Sequence, residues 1–404
     1  MATLHAFRAV RPLPSHAARV ASVPYDVVSV AESRELAAGN DLSFLHVIRP
    51  EIDLPDDIDE HDDAVYRKGA ENLARFRSAN YTVQDEHPSV YVYRLVMEGR
   101  PQTGIFGCVS VTDYDRDVIL KHELTRPDKE DDRTRHILEQ KAHAEPVMIA
   151  YRDDDRVQSV IDATTRLDPL YDFVAPDGVR HVLWRAGDAS ELVDAFRAIP
   201  KLYVADGHHR CKAASRAAAE LQTRGRHAPA EANYFPAALF PMGSMHIMPY
   251  NRVVYRVPGG PESLLAALRA ELGAEPAASA EPPAKGTICV CLNGSWYSVE
   301  LPESSRSSVS DQLDVARLGE HLLEPLLGIE DPRRDPNIGF VGGGRGTRAL
   351  EEIVSSGGAQ MAISMYPTRI EELAEVSDAG ELMPPKSTWF EPKLRSGLLV
   401  HVFD

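Results

Sequence analysis

The stretch LYVADGHHRCKAAS, residues 202–215, decides the fold class of this chain. An apolar run with the character of a buried strand enters a tight turn at Asp206 and Gly207, and a run with helical periodicity follows at once. The small and apolar side chains of the second run fall on one helical face: Cys211, Ala214, Ala218 and Leu221. The sequence therefore predicts a strand, a turn and a helix that begins near His208 and packs against a sheet.

The predicted turn has the chemistry of an anion site. The first turn of a helix presents backbone N–H groups without partners in the helix, and a phosphate binds well there. Gly207 allows the backbone to approach a ligand closely, and Arg210 can donate to two phosphate oxygens. His208 and His209 add donors, or a proton acceptor near neutral pH. The alternative is that the turn only starts the helix and that these polar residues form its solvated end. We favour the anion site.

Outside this stretch, predicted strands alternate with predicted helices. In the first part of the chain these are a helix at 65–80, a hairpin at 89–96 and 104–111, strands at 146–151 and 181–184, a helix at 189–198 and a strand at 234–240. In the last part they are a hairpin at 287–301, a helix at 315–327, a strand at 337–341, a helix at 347–355 and a strand at 398–403. Alternation of this kind indicates a mixed α/β fold.

The segment GAEPAASAEPPAKG, residues 273–286, is the most linker-like part of the chain. It is rich in Ala, Pro and Glu and has no core periodicity, so it is either a linker or a long surface loop. We expect one region at 1–256, which contains the turn, and a C-terminal α/β region at 287–404.

Composition excludes several classes of protein. The chain of 404 residues has a net charge of −17, which repels phosphate backbones and anionic lipids, and no long run of Lys or Arg offsets it. We therefore expect neither nucleic-acid nor membrane partners. The N-terminus lacks the apolar core of a signal peptide, and four scattered cysteines are too few for a disulfide framework. These features predict a cytoplasmic protein.

A second segment is unusually charged. Ten of the fifteen residues at 121–135 are charged, five of each sign. A solvated helix that starts near Pro127 would show the same composition. The alternative is an active-site segment in which Glu123 is a base or metal ligand, while Lys129 and Arg133, four residues apart, share a helix face toward phosphate.

The segment MPPKSTWFEPK, residues 383–393, also has two interpretations. Two prolines stiffen the backbone ahead of Lys386, Ser387 and Thr388. A Lys with two hydroxyls suits a phosphate or a carboxylate, and the two aromatic residues that follow would form the floor of a pocket. Alternatively, the aromatic residues cap the core.

The sequence does not assign metal ligands. His122 and Glu123 do not form a zinc motif, because Arg126 stands where the second histidine is required. His136 and His143 can share a helix face, but no third ligand accompanies them. A zinc site is therefore not expected.

The box ADGHHR at 205–210 resembles the signature of the ParB/sulfiredoxin-like superfamily, and most closely that of its free-serine kinases. Further segments are similar to a long-chain bacterial family of domains of unknown function, number 1015, that is related to those kinases: VPYDVVS at 23–29, SFLHVIRPE at 43–51, KHELTRPDKEDDR at 121–133, NYFPAALF at 233–240 and MPPKSTWFEPKLRSGLL at 383–399. Because these segments span nearly the whole chain, it is identified as a member of that family. Sulfiredoxins carry their catalytic cysteine where His208 stands, so sulfiredoxin chemistry is not implied.

The resemblance implies a ParB/sulfiredoxin-like core with an additional C-terminal α/β part. It also implies a nucleotide-dependent kinase that phosphorylates the hydroxyl of a small metabolite, free L-serine or an analogue, with ATP or ADP as donor and Mg²⁺ bridging the phosphates. Glu123 or Asp206 would orient the hydroxyl, and His208 is a further catalytic candidate. The expected nucleotide or phosphate ligands are Gly207, His208, His209, Arg210, Lys129, Arg133, Lys386, Ser387 and Thr388. The alternative is a nucleotide-binding regulatory protein that uses the same box as a sensor.

Overall fold

In the computed structural model, which describes residues 1–223 and 228–403, strands and helices alternate along the chain. The strands are β1 (Leu4–His5), β2 (Val10–Pro12), β3 (Thr82–Gln84), β4 (Tyr91–Met97), β5 (Arg100–Ser110), β6 (Ile119–Leu120), β7 (Ala142–His143), β8 (Val147–Tyr151), β9 (Tyr171–Val174), β10 (Arg180–Arg185), β11 (Leu202–Asp206), β12 (Tyr234–Pro241), β13 (His246–Met248), β14 (Tyr250–Val254), β15 (Glu275–Pro276), β16 (Thr287–Leu292), β17 (Ser295–Glu300), β18 (Ile338–Gly342), β19 (Met361–Met365), β20 (Trp389–Glu391) and β21 (His401–Val402). The α-helices are α1 (Ala17–Val20), α2 (Val30–Ala37), α3 (Leu45–Ile48), α4 (Asp63–Ser78), α5 (Val111–Asp115), α6 (Pro127–Gln140), α7 (Asp155–Thr164), α8 (Ala189–Phe196), α9 (His208–Thr223), α10 (Pro261–Leu272), α11 (Asp314–Leu318), α12 (Glu324–Leu327), α13 (Gly346–Ser355) and α14 (Ile370–Asp378). The fold is mixed α/β, as predicted.

The chain forms two compact units. Unit 1 consists of Met1–Met245 together with Pro392–Asp404, and unit 2 is His246–Glu391. This division differs from the expected one, because residues 273–286 lie within unit 2 and the segment from Pro392 onward belongs to unit 1. Backbone pairing explains the second difference, since β21 pairs with β7 and the amide of Val10 donates to the carbonyl of Val400.

The main sheet of unit 1 has the strand order β6-β11-β8-β12-β5-β4-β10-β9, with β1 paired to β5. The antiparallel pair β4–β5 confirms the predicted hairpin. At the other side of the sheet, β11 runs parallel to β6 and antiparallel to β8. Because β6 and β11 are parallel neighbours, the chain leaves both strands at the same edge of the sheet.

Helix α9 packs on two sides, and its composition allows this. The face toward the core of the main sheet consists of Cys211, Ala214 and Ala218. On another face, Ala213 and Ala217 form a cluster with Ile137 of α6, and Leu221, which was predicted on the sheet face, packs against that cluster. Small side chains on both faces let the helix lie close to the sheet and to α6 at the same time.

Unit 2 is built on an antiparallel sheet with the order β15-β17-β16-β19-β14-β18. The β16–β17 pair confirms the predicted hairpin at 287–301. The segment predicted as one regular helix at 315–327 is irregular in the structure, because a π-helical turn at Gly319–Leu323 separates α11 from α12. Throughout the described ranges of both units, no helix combines the length and the apolar character needed to cross a bilayer.

We expect Ala217→Leu to lower the free energy of unfolding by about 1–3 kcal/mol, the usual cost of an overpacked interior. Ala217 is 1% exposed and lies in the cluster that joins α9 to α6. Urea unfolding measures the change. The matched control is Ala163→Leu on the exposed side of α7, which should stay within about 0.5 kcal/mol of the wild type. Equal stability of the two variants would contradict close packing of α9.

Candidate functional site

Two parallel strand–helix units build the candidate site. Strand β6 leads through residues 121–126 into α6, and β11 leads through Gly207 into α9. The two helices run parallel, because the backbone N–H of Arg126 donates to His209 Nδ1 at 3.4 Å where they begin, and Arg216 donates to Glu130 at 3.1 Å further along. Both helix N-termini therefore lie at the edge where β6 and β11 end, the edge at which α/β sheets bind ligands.

The turn between β11 and α9 requires glycine. Gly207 has a φ of +101°, in the left-handed region that other residues rarely adopt. A β-carbon at this position would also lie 3.0 Å from Cζ of Arg210. The sequence predicts that Gly207 allows a ligand to approach the backbone. In the structure, the group that lies against Gly207 is the guanidinium of Arg210.

Arg210 is buried beneath the turn among charged groups. Its Nη1 donates to the carbonyl of Pro146, while its Nη2 lies 3.6 Å from Asp26 Oδ2 and 3.8 Å from Asp206 Oδ2. Neither Nε nor Nη2 has a hydrogen-bond partner among the described residues. Burial lowers the pKa of this guanidinium, but the two carboxylates outweigh that effect and raise it. Arg210 is therefore a permanent cation that balances the carboxylates around the turn.

Asp206 holds a second cation that the sequence analysis did not identify. Nζ of Lys393 lies 3.3 Å from Asp206 Oδ2. Burial raises the pKa of Asp206, but Lys393 and Arg210 together lower it to about 2. Asp206 is therefore ionised at neutral pH and is a weak base. The contact joins residues 187 apart, so no local spacing pointed to it.

Glu123 and two buried histidines, His122 and His208, form a second cluster at the site. His208 Nε2 accepts the backbone N–H of His122 at 3.5 Å, so its Nδ1 carries the proton and faces Glu123 Oε2 at 3.9 Å. The rings of His122 and His208 meet edge to face, with centroids 4.4 Å apart. Burial lowers the pKa of His208 well below its usual range and that of His122 to about 4, so both rings are neutral at neutral pH. The side chain of Glu123 is 41% exposed and can be reached from solvent.

These three side chains also form a group with the donor atoms of a metal site. One ligand atom each from His122, Glu123 and His208 lies within 4.8 Å of the others. Local spacing failed to predict this group, because its members come from segments 86 residues apart. Mg²⁺ prefers carboxylate, water and phosphate oxygens, whereas imidazole suits transition metals. The group therefore does not fit the expected Mg²⁺.

Lys129 and Arg133 lie on α6, but their environments differ. Lys129 is partly exposed in the first turn of the helix, and no described carboxylate forms an ion pair with it. Arg133 is buried deeper along the helix, where it pairs with Asp132 at 2.7 Å and Glu145 at 3.3 Å and lies 4.0 Å from the ring centroid of Tyr25. The four-residue spacing predicts Lys129 and Arg133 on one side of the helix. Only the first turn of α6, which contains Lys129, is near the end of β6. Arg133 thus contributes to the interior of unit 1.

Residues 4–316 of the chain match the family described as "Protein of unknown function (DUF1015)". The chain belongs to this family. The family that the sequence segments resembled is thereby confirmed. A search among curated proteins returned no match.

The chain is also similar to several solved structures. It is similar to a free serine kinase in complex with AMP, at 14% identity and a TM-score of 0.36, over 73% of this chain and 91% of that one. It is also similar to SbnI with C-terminal truncation from Staphylococcus aureus, at 14% identity and a TM-score of 0.37, over 74% of this chain and 87% of that one. A free serine kinase variant in complex with ADP matches at 13% identity and a TM-score of 0.36, over 73% of this chain and 92% of that one.

Segments that resemble the DUF1015 family meet at the turn. The segment at 23–29 contributes Asp26, the segment at 121–133 contributes Glu123, and the segment at 383–399 contributes Lys393. The last of these is the segment from which the sequence analysis selected Lys386. The family resemblance of this segment, which runs to residue 399, includes Lys393. That resemblance was the signal in the sequence that could have identified Lys393.

The other predicted residues of that segment, Lys386 to Thr388, belong to unit 2. Lys386 has a φ of +60°, and its ammonium lies 5.5 Å from the ring centroid of Tyr250. The hydroxyl of Ser387 donates to the carbonyl of Pro384 at 2.6 Å, which closes a tight turn. Phosphate binding by these residues stays a prediction.

We expect Lys393→Met to change the acid stability of the protein. Ionised Asp206 stabilises the folded state above about pH 4, the ordinary range of an Asp pKa, and this contribution is lost as the pH falls through about 2. The variant should therefore differ most from the wild type in free energy of unfolding above about pH 4, and the difference should shrink toward pH 2. Urea unfolding at a series of pH values measures it. Lys393→Arg, which keeps the cation, is the control, and a difference independent of pH would contradict the assignment.

Proposed function

We propose that this protein is a phosphotransferase that moves a phosphoryl group from ATP or ADP to the hydroxyl of a small metabolite, with free L-serine as the first acceptor to test. The observation that carries the proposal is the convergence of two helix N-termini and an accessible carboxylate at the end of two parallel strands. Phosphoryl transfer requires mainly positioning and stabilisation of charge, and this arrangement supplies both.

The phosphate groups would lie between the starts of α6 and α9. Each helix N-terminus carries backbone donors without helical partners and the positive end of a helix dipole. Lys129 adds a positive charge in the first turn of α6. Gly207, His208 and His209 supply the corresponding turn of α9. Arg210 and Lys393 hold Asp206 and thereby fix the shape of this turn from behind.

Glu123 would activate the acceptor. In the proposed step the acceptor hydroxyl oxygen forms a bond to phosphorus, the bond between phosphorus and the bridging oxygen of the nucleotide breaks, and the hydroxyl proton passes to Glu123. The Nδ1–H of His208 faces that carboxylate and would orient it. Asp206 is less suited to this role, because its pKa of about 2 makes it a weak base. These roles use side chains and helix termini alone.

L-serine as the acceptor is supported by the resemblance of the ADGHHR box to that of the free-serine kinases. The same site would serve a regulatory protein that binds a nucleotide without transferring its phosphate. The two functions differ in their products, since only the transferase yields a phosphorylated acceptor in proportion to the nucleotide consumed.

We expect Glu123→Gln to lower turnover by about 10²–10⁴-fold, the usual contribution of a general base, without weakening nucleotide binding. Phosphorus NMR of protein mixed with ATP or ADP and L-serine follows both products. Glu139→Gln, an exposed position on α6, is the matched control and should retain full turnover. Nucleotide binding by the wild type with no phosphorylated product from any hydroxylated metabolite would reject the transferase in favour of the sensor.

We expect Lys129→Met to weaken nucleotide binding by about 10–100-fold, because a hydrogen bond to a charged group contributes about 1.5–3 kcal/mol. Titration calorimetry measures the affinity. Lys141→Met, at the opposite end of α6, removes the same charge and should leave the affinity unchanged. Equal affinities of the two variants would show that the phosphates do not lie at the start of α6.

A further inference from the structure

Unit 2 contains a cavity that the proposed function does not use. Its volume is about 320 Å³, within the range of small-molecule sites. Arg252 of β14 lines one side, while α11 and the π-helical turn line another. Pro384 and Pro385, from the stiff segment that the sequence analysis selected, complete the wall.

Arg252 is a buried cation whose contacts are to backbone carbonyls and an aromatic ring. It is 2% exposed, and its guanidinium donates to the carbonyls of Tyr250 and, at 3.0 Å, Lys386. Its Cζ lies 5.7 Å from the ring centroid of Phe340, and no carboxylate pairs with it within the described part of the chain. Burial lowers its pKa to about 10, which still leaves it charged at neutral pH. An uncompensated buried charge is destabilising, and an anionic group in the cavity would compensate it.

The more exposed residues that line the same cavity are mostly acidic. The carboxylates that line it are Asp311, Glu320, Glu324, Glu330 and Asp331, against two exposed arginines, Arg306 and Arg333. Arg306 lies 4.0 Å from Asp311, and Glu320 accepts hydrogen bonds from Ser305. The lining of the cavity therefore combines one buried cation with a group of more exposed carboxylates.

The helix beside the cavity is irregular at this point. The turn at Gly319–Leu323 is π-helical, and Gly319, Glu320 and Leu323 all line the cavity. A π-helical turn inserts an extra residue and re-aims the side chains around it, and such turns are frequent at functional sites. This irregularity and the buried guanidinium of Arg252, which no described carboxylate contacts, are independent observations at one cavity.

We propose that this cavity binds a small zwitterion of the free α-amino acid type. The carboxylate of the ligand accepts hydrogen bonds from the Arg252 guanidinium, and its ammonium group pairs with the carboxylates of the lining. Phe340 and Val315 supply apolar surface for the rest of the ligand. The site lies wholly within unit 2 and does not depend on the proposed phosphotransfer.

Thermal-shift measurements with each common free amino acid, followed by titration calorimetry of those that stabilise the protein, test the proposal. Arg252→Met should weaken binding of the best amino acid by about tenfold or more, since it removes a charge-assisted contact. Ala316→Leu fills the cavity without altering any charge and should have the same effect, so the test does not depend on Arg252→Met folding normally. Arg348→Met, 88% exposed on α13 outside the cavity, is the matched control and should bind as the wild type does.

Four results would overturn the proposal. The first is that no free amino acid binds the wild type, and the second is that Ala316→Leu binds as tightly as Arg348→Met. The third is that propionate or inorganic phosphate binds as tightly as the best amino acid, which would exclude a zwitterion. Binding that is lost in Glu123→Gln but kept in Ala316→Leu would place the amino acid at the proposed phosphotransfer site, and would likewise overturn this second site without touching the first.

Discussion

The candidate site depends on how closely α6 and α9 approach each other. Two helices present their N-termini to one ligand only if they start side by side, and Ala213 and Ala217 provide the small surface against which Ile137 packs. The same helix must also lie flat on the sheet, which Cys211 and its neighbouring alanines allow. Larger residues on either face would separate the two helix starts and disperse the positive ends of their dipoles.

Much of unit 1 follows from local sequence, whereas the site depends on contacts between distant residues. The strand, turn and helix at 202–215 were predictable because apolar periodicity and a glycine turn are encoded within fourteen residues. Strand β6 was not predictable, because a strand of two residues gives no periodic pattern. Its parallel pairing with β11 is what brings Glu123 close to His208. Lys393 was missed because its partner Asp206 is 187 residues away. The π-helical turn was missed because periodicity over 315–327 suits a regular helix equally well.

Because the chain is strongly acidic, binding of an anion depends on the local arrangement of cations and helix dipoles. A protein with a net charge of −17 does not attract nucleotides over long distances, so any affinity must arise within the site itself. In unit 1, the buried cation Arg210 lies against the carboxylates of Asp26 and Asp206. The helix N-termini add backbone dipoles, whose contribution does not depend on the net charge of the chain. Unit 2 instead has a buried arginine, Arg252, beside a cavity, where its guanidinium contacts backbone carbonyls and none of the described carboxylates. The buried arginine of the candidate site in unit 1 therefore lies beside carboxylates, whereas Arg252 of unit 2 contacts backbone carbonyls.

The path of the chain through the two units has a consequence for biosynthesis. Unit 1 is interrupted in sequence by the whole of unit 2, and it is completed only by the segment from Pro392 onward. That segment brings Lys393 to Asp206 and pairs β21 with β7. On the ribosome, unit 2 has therefore been synthesised in full before the last contacts of the candidate site can form. A nascent chain passes through a long stage in which the Asp206 carboxylate lacks one of its two cations, and the site acquires that cation only after unit 2 and then Lys393 have been synthesised.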